Sequence, residues 1–194
     1  MAAGKVCTGF SKPYVALYSN SGTTITYSSG QILARGVDVS IEPETSDDNN
    51  FYADNVLAES GDKVFTGGTV TLTVDGLFIA AEKLIMGLPT PSTGDWVSYD
   101  DDQSVPYVGI GFIARYQSEG DVSYTPYILC KCRFNEVGVS AATQEESIDW
   151  QTQELTATIF RGDDAKHAWK KVGKTDYTTE DAAEAAIKTV FSIT

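Results

Sequence analysis

Histidine and cysteine are scarce in this chain, and chemistry that depends on them is correspondingly constrained. His167 is the only histidine among 194 residues, and it stands in a basic, polar stretch with no cysteine beside it. A histidine so placed reads as a structural or solvated residue and not as a general base or zinc ligand. There is no glycine-rich phosphate loop and no serine in a nucleophile-elbow motif. Gly67-Gly68 opens a strand with no lysine after it, so it reads as a bulge or turn. Two carboxylate runs, Asp47-Asp48-Asn49-Asn50 and Asp100-Asp101-Asp102, lack the alternating spacing and closing glutamate of a calcium loop. No feature of the remaining acids selects a glycosidase pair. The expectation is a protein with no catalytic, cofactor-binding or metal site.

Long apolar runs are also missing. None approaches the ~18 residues that span a bilayer, and Met1–Cys7 has one lysine with no apolar region behind it, so no secretory signal is expected there. The product is expected to stay in the cytoplasm in which it is made. Three cysteines in no framework spacing agree with reduced thiols. Cys130 and Cys132 alternate along one strand and read as small core residues, whereas Cys7 is placed in a flexible N-terminal arm, about residues 1–12.

Bases are few. Fourteen lysines and arginines face 27 acids, for a net charge of −13, which argues against ordinary binding of nucleic acid through its phosphates. Their distribution is uneven. Gly36 to Asp62 holds Asp38, Glu42, Glu44, Asp47, Asp48, Asp54, Glu59 and Asp62 with no base, and Leu84 to Ala114 holds only acids as well. Arg161, Lys166, Lys170, Lys171 and Lys174 gather late in the chain. Solubility alone explains such a surface. So does an acidic wall that repels DNA, or an acid-to-base contact between copies.

What the chain has in quantity is strand alternation. Val70, Leu72 and Val74 oppose Thr69, Thr71 and Thr73; Val37, Val39 and Ile41 oppose Asp38, Ser40 and Glu42; Leu155, Ala157 and Ile159 oppose Glu154, Thr156 and Thr158. Tyr107 to Ala114 and Tyr124 to Phe134 form a long hairpin closed near Gly120, and Gly109 with Gly111 mark a face where a helix or backbone presses close. A helix over about 76–87 is apolar nearly all round, with Asp75 as cap and Gly87 and Pro89 as its stop, so it needs cover on two sides. A second helix, about 179–191, is capped by Thr178 or Thr179 and carries Ala183, Ile187, Val190 and Phe191 as one stripe. Pro43–Asn50 and Leu88–Pro106 read as long polar loops. The fold class is mainly β with α: an antiparallel β-sandwich or open barrel in one domain over residues 1–194, with one buried and one C-terminal helix.

Tyr52-Ala53-Asp54-Asn55, the strand-then-helix of Gly67 to Gly87, the pair Tyr107–Phe112 and Tyr127–Phe134, and Gln151–Ile159 occur in an order that resembles the major tail proteins, or tail tube proteins, of long-tailed bacteriophages. The resemblance spans the chain, without the C-terminal immunoglobulin-like domain of some members. It implies stacked hexameric rings forming a hollow, flexible tail tube in the virion. DNA and the tape-measure protein would occupy the lumen, with tail terminator and distal tail proteins at the ends. It also implies a loop or hairpin reaching onto the next ring, for which Pro43 to Val64 is the candidate. The contact candidates are Asp47, Asp48, Phe51, Tyr52 and Asp54, with Lys170 and Lys171 from the basic cluster. The alternative is a monomeric β-sandwich binding a carbohydrate or a protein; a carboxylate hydrolase is a third reading.

Overall fold

Val70, Leu72 and Val74, the apolar half of the clearest alternation, are fully buried along one face of a ten-residue strand, and the threonines between them are half-buried on the other. The computed structural model describes residues 4–48, 50–89, 96–143 and 150–193. Within them the order is β1 (Val6–Ser21), β2 (Thr24–Ile32), β3 (Gly36–Thr45), β4 (Asn50–Ala53), β5 (Val56–Ser60), β6 (Phe65–Val74), α1 (Ile79–Met86), β7 (Val108–Ser118), β8 (Asp121–Phe134), β9 (Gln153–Ile159), β10 (Lys170–Val172) and α2 (Glu180–Val190). The protein is mainly β, with antiparallel pairing throughout these strands and two helices.

One eight-stranded sheet runs β2-β1-β7-β8-β9-β6-β3, with β10 joined to β8 beside the end of β9. Val15 of β1 and Val70 and Leu72 of β6 share one core although their strands are far apart in that order, so the sheet curls around it. The single curled path favours the open-barrel half of the expectation over two facing sheets. Ala81, Ile85 and Met86 of α1 sit in this core. A second core lies on the opposite face, where α2 places Ala183, Ile187 and Phe191 against Tyr14, Ala16, Tyr27, Ile113 and Ile128. Gly109 and Gly111 make that approach possible. A Cβ on Gly111 would stand 2.7 Å from Ile187 and 2.9 Å from Phe191, and one on Gly109 would stand 2.5 Å from Tyr27.

Several expectations change. Instead of an arm over 1–12, β1 begins at Val6 and pairs with β7 from Gln117 onward. Two register shifts and the positive φ of Lys12 interrupt its alternation, which is why the strand was not legible. The first helix is shorter than 76–87 and is buried on one side only, with Phe78 and Ile79 more than half exposed before it and in its first turn. Its N-cap is Phe78 without a side-chain bond; Asp75 instead accepts from the Arg35 amide at 3.0 Å and pairs with its guanidinium at 3.2 Å. Gly87 ends it in the left-handed conformation, as expected. Thr179 caps α2, while Val190 leaves the expected stripe for the surface. A bulge sets Val108 opposite Cys132 and Ile110 opposite Leu129, so Leu129 joins Cys132 in the first core while Ile128 faces the second. Both cysteines of that strand are buried and free. Pro43–Thr45 belongs to β3 and not to a loop; Asn49 and residues 90–95 of the two expected loops lie outside the described residues.

Candidate assembly surfaces

Asp54 and Asn55 have φ of 51° and 64°, the pair of left-handed residues that a two-residue hairpin turn demands, and both side-chain types tolerate it. They join β4 to β5 in a separate two-stranded sheet, with Tyr52 opposite Leu57 and Ala53 opposite Val56. Every residue described from Asn50 to Val64 is exposed, including Phe51 at 64%, Tyr52 at 61%, Val56 at 66% and Leu57 at 49%. This hairpin is an arm with no cover from the described residues of its own chain. A lone two-stranded hairpin is marginal in water, and these side chains gain only when something is laid against them. At the root, the Ser46 amide donates to the Val64 carbonyl at 2.8 Å and the Val64 amide donates to the Ser46 hydroxyl at 3.1 Å. Asp48 pairs with Lys63 at 3.3 Å, whereas Asp47 and Asp54 are exposed and make no ion pair among the described residues.

Lys170 and Lys171 lie elsewhere, on β10, opposite Leu129 and Ile128 of β8. No hydrogen bond or ion pair joins them to the arm among the described residues. The connection is indirect: Trp169, just before β10, stacks on Phe65, the first residue of β6 after the arm, and the Lys170 ammonium lies 4.7 Å above the Trp169 ring. Acidic arm and basic strand therefore leave the same end of the sheet. Between β10 and α2 runs a small groove of about 140 Å³, lined by Pro126, Ile128, Lys171, Val172, Ile187 and Val190 among others.

A third surface was not foreseen as a unit. Register places Asp38, Ser40 and Glu42 of β3 beside Thr73, Thr71 and Thr69 of β6, which stand beside Glu154, Thr156 and Thr158 of β9. Three strands thus present one face of hydroxyls and carboxylates, turned away from the core that holds Val39, Leu72 and Leu155. The signal was in the sequence as three alternations, but only the strand order, with β9 inserted next to β6, assembles them.

Ionisable groups secure the second core. Glu184 of α2 accepts from the Tyr14 hydroxyl at 2.6 Å, from Lys188 at 2.7 Å and from Lys12 on the β1 bulge. Burial alone would push its carboxyl up, but the hydrogen bonds from Lys12, Lys188 and Tyr14 hold it down at about 2. Asp176 is likewise lowered, chiefly by hydrogen bonds from Thr125 and Lys5. His167 stands at φ 52° in a turn, its Nδ1 3.0 Å from the Gly162 carbonyl.

An open hollow of about 540 Å³ lies where β6 leads into α1 and includes Asp75, Glu82 and Glu154. Asp75 is held by Arg35 and Glu82 accepts from the Tyr99 hydroxyl at 2.5 Å, so two of its carboxylates are already engaged. Among the described residues no group of three His, Cys, Asp or Glu side chains is placed to hold a metal ion, and no helix is long and apolar enough to cross a membrane. No protein-family model matches the chain, and no curated protein matches it.

Proposed function

We propose that this chain is a structural subunit of a self-assembling tube of the phage-tail kind, with no enzymatic role. The observation that carries the reading is the β4–β5 arm, which displays Phe51, Tyr52, Val56 and Leu57 uncovered by any described residue of its own chain, an apolar surface suited to packing against another molecule. The edge of β3, which among the described residues has a hydrogen-bonded strand on one side only, supports it, since closing such edges around a ring removes unpaired strand margins. So does the Asp/Glu/Thr face of β3, β6 and β9, which suits the wall of a conduit that repels the phosphate backbone and lets DNA slide. On this reading hexameric rings stack head to tail in the virion tail, the bore holds the tape-measure protein and then DNA, and terminator and distal tail proteins close the ends. Assembly energy comes from repeated contacts.

Negative-stain microscopy and sizing of the purified chain test it. Rings or tubes of uniform bore support the proposal. A monomer at every concentration, which still fails to polymerise on isolated tail-tip complexes, overturns it. The second reading, a monomeric carbohydrate-binding module, rests on Trp96 and Tyr99, which stand 86% and 48% exposed beside a hollow of about 310 Å³ along α1. It predicts glycan-dependent quenching of tryptophan fluorescence by a chain that never assembles.

A further inference from the structure

We infer that the groove between β10 and α2 is the seat of the β4–β5 arm of a second copy, a contact that rests on the tube reading and specifies where its subunits join. Tyr52 and Leu57 are directly opposite each other and so share one face of the arm. The groove offers such a face an apolar rim, Val172 and Val190, 46% and 37% exposed, over a floor where Ile128 and Ile187 are already buried, and its own arm does not fill it.

Charge completes the match. From Ser46 to Val64 the arm carries Asp47, Asp48, Asp54, Glu59 and Asp62 against Lys63 alone. Lys171 lines the groove, and Lys170 and Lys174 flank it in the chain. These three lysines, and Asp47, Asp54, Glu59 and Asp62 on the arm, are exposed and without an ion pair among the described residues. Lengths agree as well. Strands of four and five residues extend ~13–17 Å at ~3.3 Å each, and the eleven residues of α2 extend ~16 Å at ~1.5 Å each. Acidic and apolar on one side, basic and apolar on the other, the two surfaces are carried by every copy, so the contact is heterologous and repeats from copy to copy.

Two measurements test the seat. Glu59→Lys with Asp62→Lys, or Lys171→Glu with Lys174→Glu, is expected to raise the concentration needed for assembly at least tenfold, and the four changes together are expected to restore most of it. In a Cys7→Ser background, Tyr52→Cys on one chain and Val190→Cys on another are expected to form a mixed disulfide under mild oxidation, with circular dichroism confirming that both variants fold. Tubes that form normally in all charge variants, without that disulfide, overturn the seat and leave the tube reading standing. A chain that stays monomeric and yields no disulfide overturns both. Loss of assembly that the fourfold variant does not restore also overturns the seat.

Discussion

Phe65 and Trp169 stack face to face, their ring centroids 4.3 Å apart and their planes 7° apart. One ring belongs to the strand that emerges from the arm and the other to the turn that leads into β10, so this contact fixes the arm's root relative to the lysines. Truncating either ring removes half-buried aromatic surface, and Trp169→Ala is expected to cost about 2 kcal/mol in urea denaturation. A double-mutant cycle with Phe65→Ala should give a coupling of about 1 kcal/mol. A coupling near zero would show that the rings stabilise their neighbourhoods independently.

Acid is expected to loosen the C-terminal helix. Glu184 titrates near 4.5 when free and at about 2 in the folded chain, because burial, which raises it, is outweighed by hydrogen bonds from Lys12, Lys188 and Tyr14. A depressed carboxyl contributes stability that is fully present above pH ~4.5 and disappears as pH falls toward 2. After allowance for solvent screening the contribution is about 1–2 kcal/mol. Asp163 and Asp176, both lowered by hydrogen-bonding partners, act in the same direction. Glu184→Gln should lower stability at neutral pH by about that amount and flatten the fall between pH 5 and 2, as read by denaturant midpoints at each pH.

Close approach at Gly111 makes another expectation quantitative. Alanine there would bring a methyl group to 2.7 Å from Ile187, in a core where Ile187 and Phe191 are fully buried. Overpacking of this sort costs about 1–3 kcal/mol. Gly111→Ala should therefore lower the denaturant midpoint and raise amide exchange across α2, while the amides of β6 and β9, in the other core, stay protected.

The inward faces of β6 and β9, whose alternation is unbroken, were legible without coordinates, as were the turn that joins β7 to β8 and the stop of α1 at Gly87. The two glycines of β7 also marked a face of close approach, although the sequence did not say whether a helix or another backbone makes it. What stayed hidden has identifiable causes. Bulges in β1 and β8 shift the period by a residue, so Val6–Ser21 carries no clean two-residue repeat and Leu129 shares a core with Cys132, three residues on. Asp75 looked like a cap because the loop between β2 and β3, which brings Arg35 to it, is remote in sequence. Phe51, Tyr52 and Asp54 were placed on one projecting feature, while the separation of Lys170 and Lys171 from it depends on strand order that local patterns do not encode.

The arm's turn separates folding from assembly. Asp54 and Asn55 both have positive φ, where a β-branched residue costs roughly 1–2 kcal/mol, and the hairpin they close has only one partner strand on each side of the turn. Asp54→Val with Asn55→Val should melt the arm. Because the arm contributes nothing to either buried core, the thermal midpoint of the body is expected to move by no more than about 1 °C. Ring or tube formation, followed by sedimentation, should fall at least tenfold. Asp54→Asn with Asn55→Gly keeps residues that favour the same turn and removes one charge, so it should retain the hairpin and most of the assembly. If the valine variant assembled as well as the parent chain, the exposed apolar residues of the arm would have no part in joining copies, and the contact would have to be sought along the outer edge of β3.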